Sequence, residues 1–159
     1  MNKKTLTQRF IFAAKKGLTT PTLPKHIIDF TMRPEIRIFR FIGGISTLLL
    51  ISKKYLILPY PYICLYILFV ISSCFLIYQI YIGYYRFIHI RYLLKSGEMD
   101  IYNPPLDKFG VICSKLILCA KGYCEYAAPV GVVLGLTLSV DSIRENAGLN
   151  PIFGPFLAK

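Results

Sequence analysis

Cysteine and histidine are the first side chains of this sequence to weigh for chemistry, because thiolate and imidazole ligate zinc and haem and serve as nucleophile and base in many enzymes. Cys113, Cys119 and Cys124 are spaced C-x5-C-x4-C, which fits neither the CxxC pairs of zinc sites nor the CxxCH of haem attachment. Cys64 and Cys74 share one apolar run and would stand roughly 15 Å apart along a helix, beyond disulfide reach. All five read as buried free thiols of a reducing compartment. His26 and His89 are the only histidines, and neither has a second ligand at metal spacing. No Walker loop, GxGxxG, GxSxG or HExxH is present. The expectation is a non-enzymatic chain without catalytic, cofactor-binding or metal residues.

Two other patterns carry physical meaning. Glu125 lies beside an apolar stretch, and a carboxylate drawn into a membrane suggests ion coupling. Lys121, four residues earlier, offers an ordinary salt-bridge partner, and that pairing is the simpler expectation. Small residues form the second pattern. Ala127, Gly131, Gly135 and Ser139 recur every fourth position, so they line one stripe of a helix and let another helix approach closely, where dispersion and weak hydrogen bonds hold the pair. The stripe serves either packing within the chain or assembly of several copies. Ser72, Gln79 and Gly83, with Leu65, share one side of an earlier helix and are expected to pack in the same way, or to line a pore.

The elements that position these residues follow from hydropathy. Tyr55 to Tyr85 contains no charged residue, more than the 20 or so apolar residues a membrane helix needs. Unpaired backbone groups are too costly in hydrocarbon for any other open structure. Ile36–Ser52 is a shorter candidate, uncharged only from Phe41 to Ser52, which spans if its flanking cations reach back to the interface. Pro59 and Pro61 mark the turn between the two, and tyrosines cluster near both ends of the longer span, as in an interfacial belt. Phe87–Lys95 reads as a basic surface extension and Ser96–Asp107 as a polar loop. Phe109–Cys124 is expected to be an interfacial helix, followed by the Gly-rich apolar stretch Tyr126–Val140.

Ahead of these, Thr5–Leu18 forms an amphipathic helix with Leu6, Phe10, Ala13 and Gly17 on one face, ended by the Thr-Pro cluster at Thr19–Pro24. Basic and free of acid until Asp29, it suits either a mitochondrial targeting segment or a helix lying on anionic lipid. The fold expected is therefore all-α integral membrane: a helical hairpin, a third Gly-rich membrane-embedded helix and the N-terminal amphipathic helix. Its segments are 1–35, 36–95, 96–108 and 109–159.

Charge gives orientation. The chain carries 19 Lys and Arg against 8 Asp and Glu, a net charge of +11. Nine of the basic residues precede Phe41, and Arg86, Arg91 and Lys95 follow the long apolar run, with only Lys53 and Lys54 between. Two crossings put both groups on the matrix or cytoplasmic side. Arg33, Arg37, Arg40, Arg86, Arg91 and Lys95 are the expected contacts with anionic lipid. Nucleic acid is disfavoured as a partner because no recognition motif accompanies the charge.

The run AAPVGVVLGLTLSVDSI, followed by FGPFLAK, resembles small membrane proteins of unassigned activity encoded in fungal mitochondrial genomes and plasmids. The resemblance covers the last third of the chain and implies a mitochondrial address, in the inner membrane, without implying an activity. The expected function is that of an oligomerising structural or scaffold component. An oligomeric channel or toxin-like pore is the first alternative, and a membrane-tethered nucleic-acid-binding factor the second.

Charge segregation makes a direct prediction for topology. In a chain whose own cysteines are replaced by serine, a cysteine at Asn2 and one at Lys54 should label from opposite sides of the membrane. Replacing Arg33, Arg37 and Arg40 by Gln should yield mixed orientations; one unchanged orientation would show that another feature sets it.

Overall fold

Proline punctuation and threonine hydroxyls determine where the first helices stop. The computed structural model describes residues 6–56, 61–97 and 106–153, and every element assigned there is helical. Helix α1 (Leu6–Thr19) ends where the hydroxyls of Thr19 and Thr20 both donate to the Lys16 carbonyl, at 3.2 and 2.8 Å. Pro21 and Pro24 then prevent continuation. A short helix not anticipated from the sequence, α2 (Lys25–Thr31), starts on the Pro24 carbonyl.

Helix α3 (Pro34–Leu56) opens with proline, whose missing N–H costs nothing in a first turn, and with Glu35 beside the positive end of the helix. Helix α4 (Tyr62–Lys95) is 34 residues long, about 50 Å at 1.5 Å per residue. The expected span and its basic extension are thus one helix, closed by Gly97 at φ 70°. Helix α5 (Lys108–Tyr126) is capped by Asp107, whose Oδ1 accepts from the Gly110 amide at 3.1 Å. Helix α6 (Ala128–Asn146) places Pro129 in its first turn and ends at Gly148, φ 73°. The expected turn at Pro59 and most of the polar loop 96–108 lie outside the described residues.

Helix α6 outruns its uncharged stretch by six residues because its first acid folds inward. Asp141 is buried and accepts from the backbone amides of Ile152 at 2.8 Å and of Phe153 at 2.9 and 3.0 Å. The carboxylate thus recaptures the returning chain instead of ending the helix.

The chain divides into two compact units, each assembled from separated segments. The first comprises residues 1–29 and 82–126. In it α1 lies along α5 through Ala13 and Gly17, while α5 buries Gly110, Ser114, Leu118 and Gly122, again every fourth residue. A methyl group at Gly17 would sit 2.7 Å from the Ser114 carbonyl oxygen, so only glycine permits this approach. The contact face of α1 therefore differs from the apolar face expected: Leu6, Phe10, Ile11 and Leu18 are exposed, and the two small residues pack. Leu93 of α4 joins Leu118 in the core.

The second unit comprises residues 30–81 and 127–159. Gly43 of α3 accepts the face of Phe75 from α4, with Phe39 edge-on to Phe75 and Tyr78 at 6.2 and 5.7 Å. Below them Thr47 Oγ1 bonds the Gly43 carbonyl at 2.9 Å and meets Ser72 Oγ at 3.4 Å. Helix α6 closes the group through Gly135, whose missing side chain leaves room for Thr47 and Ile51.

Gly135→Ile should then force α3 and α6 apart and destabilise the monomer by about 1–3 kcal/mol, the usual cost of overpacking. Unfolding of the purified protein by titration with denaturing detergent measures this. A variant as stable as the parent would mean that the two helices do not meet at Gly135.

Candidate functional site

Most polar side chains between these helices cap or cross-link backbone, and one group concentrates charge. Arg86, in the part of α4 that belongs to the first unit, places Nε 3.1 Å from Glu125 Oε2 at the end of α5. Its Nη1 also donates to the Glu125 carbonyl oxygen at 3.3 Å. Thr22, buried in the Thr-Pro cluster, donates its hydroxyl to the same carboxylate oxygen and lies 3.4 Å from Arg86 Nε. Loop, α4 and α5 thus converge on one carboxylate. The Arg86 side chain is 13% exposed and that of Glu125 35%, so the guanidinium is the better shielded of the two.

Lys121 does not pair with Glu125, contrary to the i, i+4 expectation. Its Nζ instead donates to the carbonyl oxygens of Leu18 at 2.7 Å and Thr20 at 3.1 Å. Those acceptors are the carbonyls left over where α1 ends, and a cation is the natural group to satisfy them. Arg9 repeats the theme at the other end of the interface, 3.1 Å from Asp107, the cap of α5. In this arrangement carboxylate, guanidinium and ammonium each bind a neighbouring segment. The thiols, expected to be buried, are exposed at Cys64, Cys74, Cys119 and Cys124 and half-buried at Cys113. Among the described residues no three His, Cys, Asp or Glu side chains converge as metal ligands would.

The residues singled out from sequence occupy different environments. Ser72, Gly83, Gly135 and Ser139 are buried, Gln79 and Gly131 half-buried, and Ala127 exposed. Gly83 accommodates the ring of Tyr126, while a methyl group on Gly131 would meet nothing within 4 Å. The stripe on α6 is therefore split, its C-terminal half packed within the chain and its N-terminal half open. Val132, off that stripe, is 2% exposed and belongs to the core of its unit. Arg33, Arg37, Arg40, Arg91 and Lys95 are exposed. Arg86, expected to meet lipid with them, is turned inward because the carboxylate of Glu125 is its nearer and better-shielded partner.

Several packing residues escaped the sequence reading. The series Gly110, Ser114, Leu118 and Gly122 has the same period of four that marked α6, and that spacing was there to be read. Gly43 and Thr47 are also four apart, whereas Thr22 carries no periodic signal. No family model, no curated protein and no solved structure matches this chain.

Removing the carboxylate tests the cluster. Glu125→Ala removes the carboxylate that Arg86 and Thr22 share, so stability should fall by about 1–3 kcal/mol. Arg86→Met with Glu125→Leu should recover part of that loss, since well-packed apolar replacements of a shielded pair are often neutral. Equal destabilisation by the single and the double variant would indicate that the pair is not coupled.

Proposed function

We propose that this chain is a multi-pass helical integral membrane protein of the mitochondrial inner membrane, a non-enzymatic structural or scaffold component that works as an assembly of several copies. The observation that carries the membrane reading is how little of the apolar helical surface is used inside the fold. Two helical runs, Ile63–Lys95 and Lys108–Asn146, are long and apolar enough to cross a bilayer, and their most apolar 18-residue windows are only 17% and 28% buried. A core helix of a water-soluble protein buries most of such a window, and a secretory signal sits at the N-terminus. On α4, Ile63 and Ile77 remain 73% and 69% exposed, with Ile67, Val70 and Ile80 beside them. Hydrocarbon is the solvent that makes this surface inexpensive.

Helix α3 has a different relation to the bilayer. Arg37 and Arg40 at one end and Lys53 and Lys54 at the other leave Phe41–Ser52 as its uncharged part, so it crosses only with its cations at the two headgroup levels. Tyr66 on one side of α4 and Tyr81 and Tyr84 on the other are exposed where interfacial rings belong. The mitochondrial address rests on the resemblance of the C-terminal third and on the basic, acid-free stretch before Asp29. Assembly rests on the open half of the α6 stripe, Ala127 and Gly131. The pore reading loses Ser72, which Thr47 engages within the fold.

Two measurements test this. Alkaline carbonate should leave the protein in the membrane pellet, and release into the supernatant would refute integral insertion. In nanodiscs the particle mass should exceed one copy, and Gly131→Ile should weaken self-association about tenfold or more, roughly 1.4 kcal/mol. Monomer stability should stay unchanged in that variant. A single-copy mass for the parent protein would remove the scaffold reading and leave the membrane reading standing.

A further inference from the structure

Arg33, just ahead of α3 with its carbonyl accepting from the Arg37 amide at 3.0 Å, and Arg37 and Arg40 within the helix are three exposed arginines at its N-terminal end. Arg33, Arg37 and Arg40 follow one another at spacings of four and three, so they fall within roughly 60° of the helix circumference and span about 10 Å of its length. Among the described residues none of them has a carboxylate partner; Arg33 rests against the ring of Phe30, 5.9 Å from its centroid. Glu35, the acid in the first turn of α3, lies on another side of the helix by the same geometry. Cations near the start of a helix also oppose its dipole. Three cations so close together at this end of the helix present a site of positive potential to an external anion.

The same ridge continues into an apolar surface. Positions 33, 37, 40, 44 and 48 form one unbroken line at helical spacing, running from the arginines over Gly44 to Leu48. Gly44 has nothing within 4 Å of where a side chain would begin. Leu48 and, beside the line, Phe41 are 67% and 69% exposed. One turn below the notch, Gly135 of α6 packs on Thr47 and Ile51 and bounds the strip. A row of guanidinium groups leading straight into an open apolar strip matches a ligand that is phosphate at one end and hydrocarbon at the other.

We propose that Arg33, Arg37 and Arg40 with Gly44, Phe41 and Leu48 form a binding site for an anionic phospholipid carrying two phosphates. The length of the arginine row favours two phosphates over one: a single headgroup phosphate engages one or two guanidinium groups, whereas a pair of phosphates occupies the row. The acyl chain lies in the Gly44 notch and along Leu48. This site rests on the membrane reading above and goes beyond it, since diffuse attraction of basic residues to an anionic surface distinguishes neither the number of phosphates nor the arginine positions.

The test uses the full chain in phosphatidylcholine nanodiscs containing either cardiolipin or phosphatidylglycerol at matched charge, with retained lipid read by native mass spectrometry. Retention of cardiolipin should exceed that of phosphatidylglycerol about tenfold. Arg37→Gln with Arg40→Gln should abolish the preference. Lys15→Gln with Lys108→Gln, which removes the same charge from exposed positions elsewhere, should leave it within about twofold of the parent. Gly44→Leu keeps every charge and improves helix propensity, so folding survives, and it should reduce retention several-fold by filling the notch. Excess inorganic phosphate should not displace the lipid. Equal retention of the two lipids, equal loss in the two double variants, no effect of Gly44→Leu, or displacement by free phosphate would each overturn the proposal. Insertion into the nanodisc in any of these cases would leave the membrane reading intact.

Discussion

Close approach at glycine is the condition on which both halves of this protein depend. Dispersion between helices is short-ranged and fades within an ångström or so of added separation, so contact there depends on close approach. At Gly17, Gly43, Gly83, Gly122 and Gly135 a side chain would collide with the carbonyl, ring or methyl group opposite. Every one of these glycines lies where one segment crosses another in the same unit. Large apolar side chains do the converse: Ile63, Ile77 and Leu48 stay exposed. The rule that places large apolar residues inside a water-soluble protein is thus partly reversed here.

Polar groups supply what dispersion lacks, which is direction. Dispersion along a smooth apolar stripe tolerates sliding, whereas Glu125 meets Arg86 and Thr22 in one register only. Lys121 on the last carbonyls of α1 and Arg9 on the cap of α5 hold the two ends of one interface. Thr47 and Ser72 do the same for α3 and α4 with neutral groups. Among the described residues no shielded side-chain polar atom lacks a partner, the state a medium poor in water demands.

Much of this architecture was legible in the residues and some was not. The long helix α4 could be read directly, since an uncharged run of that length has no other stable backbone in lipid. The breaks at Pro21, Pro24 and Pro61 could also be read, because proline acts on its own neighbours. Partner choice could not. The rule for residues four apart sees Lys121 beside Glu125 and is blind to Arg86, which approaches from 39 residues away. Helical periodicity grouped Leu6 and Phe10 with Ala13 and Gly17, but it does not say whether the large or the small members of a face will pack. In water the large ones win by area; between these helices close approach wins. Helix α2 is too short for periodicity to reveal, and the end of α6 was hidden because a charged residue was taken as a boundary when Asp141 folds inward.

Interleaving of the two units gives the chain a timetable. The surface that α1 packs on belongs to α5, and about 90 residues separate the end of one from the start of the other. At ordinary elongation rates of about 5–20 residues per second, that interval is on the order of 5–20 s. Throughout it the N-terminal helix has neither Ser114 nor Lys121 to hold it, and the face that later packs stays uncovered. Once α5 emerges the same segment becomes part of the interior of its unit. One stretch of chain is first surface and then interior, and translation itself separates the two states.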